Sequence, residues 1–275
     1  MTTSRDYDLI ARSGLFDVNH YLLESPDVVA DGADPLEHFC RFGAREGRRP
    51  NLYCDPGWYA ALYLDGNPEG ANPLCHYIRV GERAGLRPIP YFEPAWYGRT
   101  YRLRRGTSPL RHYLTHRRSQ LYAPNARFDL AHYLARYGAE IGRNRDAFAH
   151  LLRHGARRDL DSAPDFDAAA YRAGHGLPNR PASAHVADQE ACNPLVHRLR
   201  REAAEEQARR AGRDGPRGGT GSCAAPDAEC RLPASRTAVL SKVSASSAPR
   251  TNRGRTGTPP RSTDRRRPGR TASPS

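Results

Sequence analysis

A tyrosine recurs at positions 21, 59, 97, 133 and 171, at spacings of 38, 38, 36 and 38 residues. A period of that length marks a repeat built from one supersecondary unit that cannot bury its apolar face alone. Each tyrosine sits in the same short motif. It reads Phe16-Asp17-Val18-Asn19-His20-Tyr21-Leu22, then Cys54-Asp55-Pro56-Gly57-Trp58-Tyr59, then Phe92-Glu93-Pro94-Ala95-Trp96-Tyr97. Phe128-Asp129-Leu130-Ala131-His132-Tyr133 and Phe166-Asp167-Ala168-Ala169-Ala170-Tyr171 complete the series. Units therefore start near residues 16, 54, 92, 128 and 166.

A second motif follows the first by about 17 residues. It carries Pro35 and His38, Pro73 and His76, Pro109 and His112, a degenerate copy with His150, and a late copy at Pro194 and His197, after an insertion within 174–192. Asp34, Asn72, Ser108 and Asn193 directly precede the prolines. A short polar cap before a first-turn proline is a helix start, because the cap oxygen takes an orphan N–H and proline lacks one to lose. Gly43, Gly81 and Gly155 each come five residues after a histidine, where a left-handed helix end is expected.

Apolar residues agree with helical spacing. Leu36, Phe39, Cys40 and Gly43 share a face, as do Leu74, Tyr77, Ile78 and Gly81, and Leu130, Tyr133, Leu134 and Tyr137. Helices of two to three turns are unstable alone, so neighbouring units must cover one another. The expectation is an all-α array of about five helix–loop–helix repeats over 14–206, behind an N-terminal extension, 1–13. Packing is expected to be best over 14–160, because Arg198 stands in the fifth unit where Phe39 and Tyr77 stood. Composition breaks near residue 207. Every aromatic lies between Tyr7 and Tyr171, and 207–275 carries a net charge of +11 out of the whole chain's +13. That segment, rich in Arg, Pro, Gly and Ser, cannot bury enough apolar surface to offset chain entropy and is expected to be disordered.

Candidate chemistry is sparse. The histidines come one per unit, which spaces them out, whereas zinc needs about four ligands converging on one point. A structural role, such as a hydrogen bond to an adjoining loop, is the expectation for His38, His76, His112 and His150. Cys40, near His38, and Cys75, beside His76, read as packing thiols, and Cys54 fills the anchor position held elsewhere by Phe16, Phe92, Phe128 and Phe166. Asp17, Asp55, Asp129 and Asp167 read as helix caps. No phosphate-binding glycine loop occurs. No catalytic residue, cofactor or metal is therefore expected, and the chain reads as a non-enzyme. Residues 1–20 lack an apolar run long enough for a signal peptide, and no stretch approaches a membrane span, which points to the cytoplasm.

The paired motifs resemble a known group of tandem repeats. Phe16-Asp17, Tyr21-Leu22, Pro26-Asp27-Val28, Pro35-Leu36, His38-Phe39, Gly43, Glu46-Gly47-Arg48 and Pro50 carry the likeness most fully. Such repeats accompany bacterial glycosyltransferases of surface-polysaccharide synthesis, and similar units occur in some secreted calcium-binding proteins. The resemblance covers about residues 14–200 and implies an interaction module for a protein or a glycan. Residues 207–275 are too short and too polar for a transferase domain, which leaves an accessory or truncated fragment of such an enzyme as the second reading. A third is nucleic-acid binding through the basic tail, with runs such as Arg265-Arg266-Arg267.

Overall fold

The computed structural model describes residues 2–64, 72–179 and 186–214, and among them every named element is helical. The all-α expectation holds. In order these are α1 (Thr2–Ser13), α2 (Val18–Glu24), α3 (Pro26–Ala30), α4 (Pro35–His38), α5 (Pro56–Tyr63), α6 (Pro73–His76) and α7 (Pro94–Thr100). They continue as α8 (Pro109–His116), α9 (Leu130–Ile141), α10 (Ala147–Arg158), α11 (Ala168–His175), α12 (Val186–Ala191) and α13 (Pro194–Asp214). No helix among the described residues is long and apolar enough to cross a membrane.

The caps form as the residue types require. Asp17, Asp55, Asp129 and Asp167 accept the N–H three residues on, at 3.1, 2.9, 3.0 and 2.8 Å. Asp34, Ser108 and Asp146 do the same for α4, α8 and α10. Each such cap contributes about 1 kcal/mol. Glu93 is the exception: its side chain caps nothing and turns to Arg87, 3.3 Å away.

Successive units are stitched by a backbone bond at the same cap. The N–H of Asp17 donates to the Pro50 carbonyl at 2.8 Å, Asp55 to Pro88 at 3.0 Å, Glu93 to Pro124 at 3.1 Å and Asp129 to Ser162 at 2.9 Å. The unit boundary is thus closed by an interior backbone pair, and a buried N–H is not left unpaired.

Contacts run well beyond neighbouring units, which an open array does not require. The Tyr53 ring meets Tyr91 at 5.9 Å and Tyr113 at 4.8 Å, while Tyr91 meets Phe148 at 5.4 Å and Phe148 meets Phe128 at 5.0 Å. These rings, drawn from several units, form one aromatic centre. The N-terminal extension joins the hydrophobic core as well. Residues 2–13 are helical, Ile10 is fully buried, and α1 packs on α4 and α6.

The fifth unit is better packed than its sequence suggests. Arg198 lies over the Phe166 ring at 5.5 Å, and Leu195, Val196, Leu199 and Ala203 form the buried stripe of α13 instead. The stripe has moved around the helix, so the loss at position 198 is made good by its neighbours. α13 also runs on to Asp214, past the expected boundary at 207. The remainder of the expected disordered tail, 215–275, lies outside the described residues.

Candidate functional site

The signature residues come together in pairs. The hydroxyl of Tyr21 lies 2.9 Å from Nδ1 of His38, Tyr59 is 2.9 Å from His76, and Tyr97 is 2.8 Å from His112. Tyr133 and His150 pair at 2.9 Å, and Tyr171 and His197 at 3.1 Å. The partner is a helix of the same unit rather than the adjoining loop that the sequence suggested. Burial pushes the Tyr21 hydroxyl up to about 12, and drives Tyr59, Tyr97 and Tyr133 upward for the same reason. The phenols therefore stay protonated and able to donate. In the fourth unit Nε2 of His150 faces Glu140 at 3.1 Å. The tautomer that donates from Nε2 to Glu140 leaves Nδ1 to accept from the Tyr133 hydroxyl. With each imidazole turned to its own tyrosine, no three His, Cys, Asp or Glu side chains gather as a metal-ligand group among the described residues.

The glycines do something other than end helices. Gly43 and Gly81 close π-turns, Phe39–Gly43 and Tyr77–Gly81, and neither has positive φ. A Cβ on Gly43 would sit 2.1 Å from the Tyr21 hydroxyl oxygen, and one on Gly81 would sit 2.1 Å from that of Tyr59. Left-handed backbone falls four residues later, at Gly47 (φ +74) and Gly85 (φ +68). Gly155 lies inside α10, where its Cβ would meet Nδ2 of Asn193 at 2.8 Å.

Cys54 and Cys75 are buried and Cys40 half-buried. Burial pushes the Cys40 thiol up to about 11 and the other two higher, so none is poised as a thiolate. The anchors Phe92, Phe128 and Phe166 are buried, and Phe16 packs half-buried against the same core. Pro35, Pro73 and Pro109 each begin a helix, and Tyr171 packs on the core edge.

Two arrangements were not anticipated from the sequence. The first is a buried ionic seam. Arg49 grips both oxygens of Glu190 at 2.7 and 2.8 Å and also reaches Asp55 at 2.8 Å. Tyr91 donates to Glu190 at 2.8 Å, and Arg200 approaches it at 3.3 Å. Arg87, one period after Arg49, repeats the clamp with Glu93 at 3.3 Å and Glu206 at 2.9 Å. Nearby, Tyr53 donates to Asp146 at 2.7 Å, and Arg117 joins Asp17 to Asp146 at 3.2 and 3.4 Å. The Glu190 side chain has no exposed surface, so a substrate has no path to it. The seam fastens α12 and α13 onto earlier units.

The second set lines a cleft of about 650 Å³. One wall is the exposed face of α10, with Arg153, His154, Arg157 and Arg158; the other is α2, with His20, Leu23 and Glu24. Leu52 and Gln189 also contribute to the lining. Arg158 is held by a bidentate pair with Glu140. His20 is pulled down to about 4, first by burial and then by the charges of Arg49, Arg117 and Arg153, against a raising contribution from Asp17. His154 is lowered as well, by burial and by His150, so both imidazoles are neutral near pH 7. Nε2 of His20 is shielded and unpaired, but so is Nε2 of His132 at the same place in the fourth unit, away from the cleft. That feature belongs to the repeat. The legible signal was the clustering of Arg and His on the outer face of α10, opposite its apolar stripe.

No family model, curated protein or solved structure matches the chain.

Proposed function

We propose that the chain is a non-enzymatic helical module that binds a protein or a glycan, beside the machinery of bacterial surface-polysaccharide synthesis. One observation carries this reading. The five signature histidines, the most recognisable polar groups of the repeat, each face a tyrosine of their own unit. A side chain committed to an internal bond at every copy serves the scaffold, and recognition falls to the surface between the anchors. The link to polysaccharide synthesis rests on the motif resemblance. It is tested by screening the purified chain against acidic and neutral bacterial oligosaccharides, with a nucleotide-sugar turnover assay in parallel. Binding without turnover is expected. Turnover that scales with the protein would replace this reading with that of a glycosyltransferase fragment.

A further inference from the structure

We infer that the third unit and the loop after α9 form a nucleic-acid surface within the folded part of the chain, an arginine band that holds a single-stranded phosphate backbone without reading its sequence. This goes beyond the module reading and involves neither the signature pairs nor the basic tail.

The near-neutral charge of residues 1–206, +2, is a cancellation. Residues 92–127 hold eight arginines against Glu93 alone, a net of +7, and the rest of 1–206 sums to −5. No acidic residue occurs from Pro94 to Phe128, although 26 are spread over 1–206. Copies of one repeat share their packing demands, so a charge that a single copy carries is not a demand of the fold. Two of the eight make ion pairs, Arg117 with Asp17 and Asp146, and Arg127 with Glu202. The Arg111 side chain lies over Gly14. Arg99, Arg102, Arg104, Arg105 and Arg118 are exposed.

The structure joins these arginines to a further pair. The Tyr101 hydroxyl accepts from the Ala123 N–H at 2.7 Å and its ring meets Tyr122 at 4.9 Å, which sets the α7–α8 loop against residues 118–123. Gln120 donates through Nε2 to the carbonyls of Gly142 and Arg145 at 2.7 and 3.3 Å, which adds the α9–α10 loop with the exposed Arg143 and Arg145. Glu140 and Asp146, which flank that loop, are held by Arg158 and by Tyr53. Each of the three loops also keeps one non-glycine residue in left-handed backbone: Arg102 (φ +50), Gln120 (φ +60) and Asn144 (φ +56), three of the four such residues among those described. Glycine would relieve that conformation. The two bonds of Gln120 offset its strain, whereas nothing inside the protein offsets that of Arg102, which points to a role outside it.

A polyanion fits this charge, and the surroundings choose among polyanions. Leu121, 69% exposed, is the one large apolar side chain that stands in solvent among the described residues of the band, too little to enter a bilayer. Rings do interleave with the arginines. Tyr101 and Tyr122 are half-buried, and His116 is exposed and stacked on His112 at 4.3 Å. Guanidinium forks for phosphates, beside rings on which bases can stack, are the combination that holds single strands without sequence preference.

The test is fluorescence anisotropy of the full chain with a labelled oligothymidylate of about 20 nucleotides, with salt raised from about 50 to 200 mM. Arg102→Gln, Arg104→Gln, Arg105→Gln and Arg118→Gln together should lower the slope of log K against log salt by roughly 3, four phosphate contacts at about 0.7 each. Arg12→Gln, Arg45→Gln, Arg83→Gln and Arg157→Gln together remove the same charge from exposed residues outside the three loops and should leave the slope unchanged. Absence of binding would overturn the inference. So would an unchanged slope in the band variant, which would leave any contact to residues 207–275, and equal losses in both variants, which would reduce the effect to net charge. Vesicles of equal phosphatidylserine and phosphatidylcholine serve as a second probe; a band-dependent loss on them and none on the oligonucleotide would make lipid the partner instead. Alginate that displaces the oligonucleotide charge for charge would also overturn nucleic acid as the partner. All substituted side chains are exposed, and should the fourfold band variant melt lower, Arg104→Gln with Arg105→Gln repeats the test with an expected change of about 1.4.

Discussion

Gly43→Ala separates two physical accounts of the repeat glycine. Judged by helix propensity alone, the change should stabilise by about 0.5–1 kcal/mol, since glycine inside a helix is costly. The structure reverses the sign. The new Cβ would lie 2.1 Å from the Tyr21 hydroxyl oxygen and 3.2 Å from its Cζ. Restoring an ordinary contact moves the hydroxyl roughly 1 Å or more, which breaks the 2.9 Å bond to His38. Tyr21 is fully buried and packs edge-on against Phe39, so the ring has no free space to retreat into. Overpacking costs about 1–3 kcal/mol and the lost hydrogen bond about 1 kcal/mol. Against the propensity gain, the net loss is about 1–3 kcal/mol, or a fall in Tm of about 3–10 °C. Thermal and urea unfolding measure it. Adding Tyr21→Phe removes the clashing oxygen, so the double variant should lose less than the two single changes summed, by about 0.5 kcal/mol or more. Gly47→Ala is the control, with φ +74 and nothing within 4 Å of its Cβ. It should cost about 1 kcal/mol through backbone strain, with no coupling to Tyr21. An unchanged or raised Tm for Gly43→Ala would refute the close-approach argument.

Other perturbations follow from the seam and from His20. Glu190→Ala leaves the Arg49 guanidinium buried without its main counter-charge and should cost about 3–5 kcal/mol by urea unfolding; a loss under about 1 kcal/mol would show the pair to be dispensable. Truncation after residue 179 removes the partners of Arg49, Arg87 and Arg127 and should destabilise the remaining units together, whereas an open array would lose only its last unit's share. His20 has a folded pKa of about 4 against 6.5 when exposed, so between those values the unfolded chain binds more protons. Stability should fall as pH drops from 6.5 to 4, by on the order of 3 kcal/mol from this residue, and His20→Phe should flatten the profile relative to the wild type. Superimposable profiles would refute the burial argument.

What the sequence made legible was local. Asp17, Asp129 and Ser108 announce themselves as caps because the cap oxygen and the N–H it takes lie within three residues, and the structure has every one of those bonds. The period of 38 also placed each tyrosine and histidine at matching points of successive units. It did not say which way the histidine turns, because a helix position fixes a face and leaves the partner open. The glycines were misread for a related reason. A glycine near a helix end fits both a left-handed turn and a close approach, and only the position of the Tyr21 hydroxyl decides between them. The seam was the least legible part. Arg49 and Glu190 are 141 residues apart, and Tyr53 and Asp146 are 93 apart, distances over which no periodicity carries information. Yet Arg49 and Arg87 are themselves one period apart, and each holds the acid at the next unit's helix start together with an acid from the C-terminal helices. The repeat thus supplies half of each clamp in register, and the late insertion that shifts the fifth unit supplies Glu190, the other half of the first. Closing the bundle therefore depends on the C-terminal acids, because without Glu190 and Glu206 each clamp keeps only the partner that the repeat itself supplies, Asp55 or Glu93.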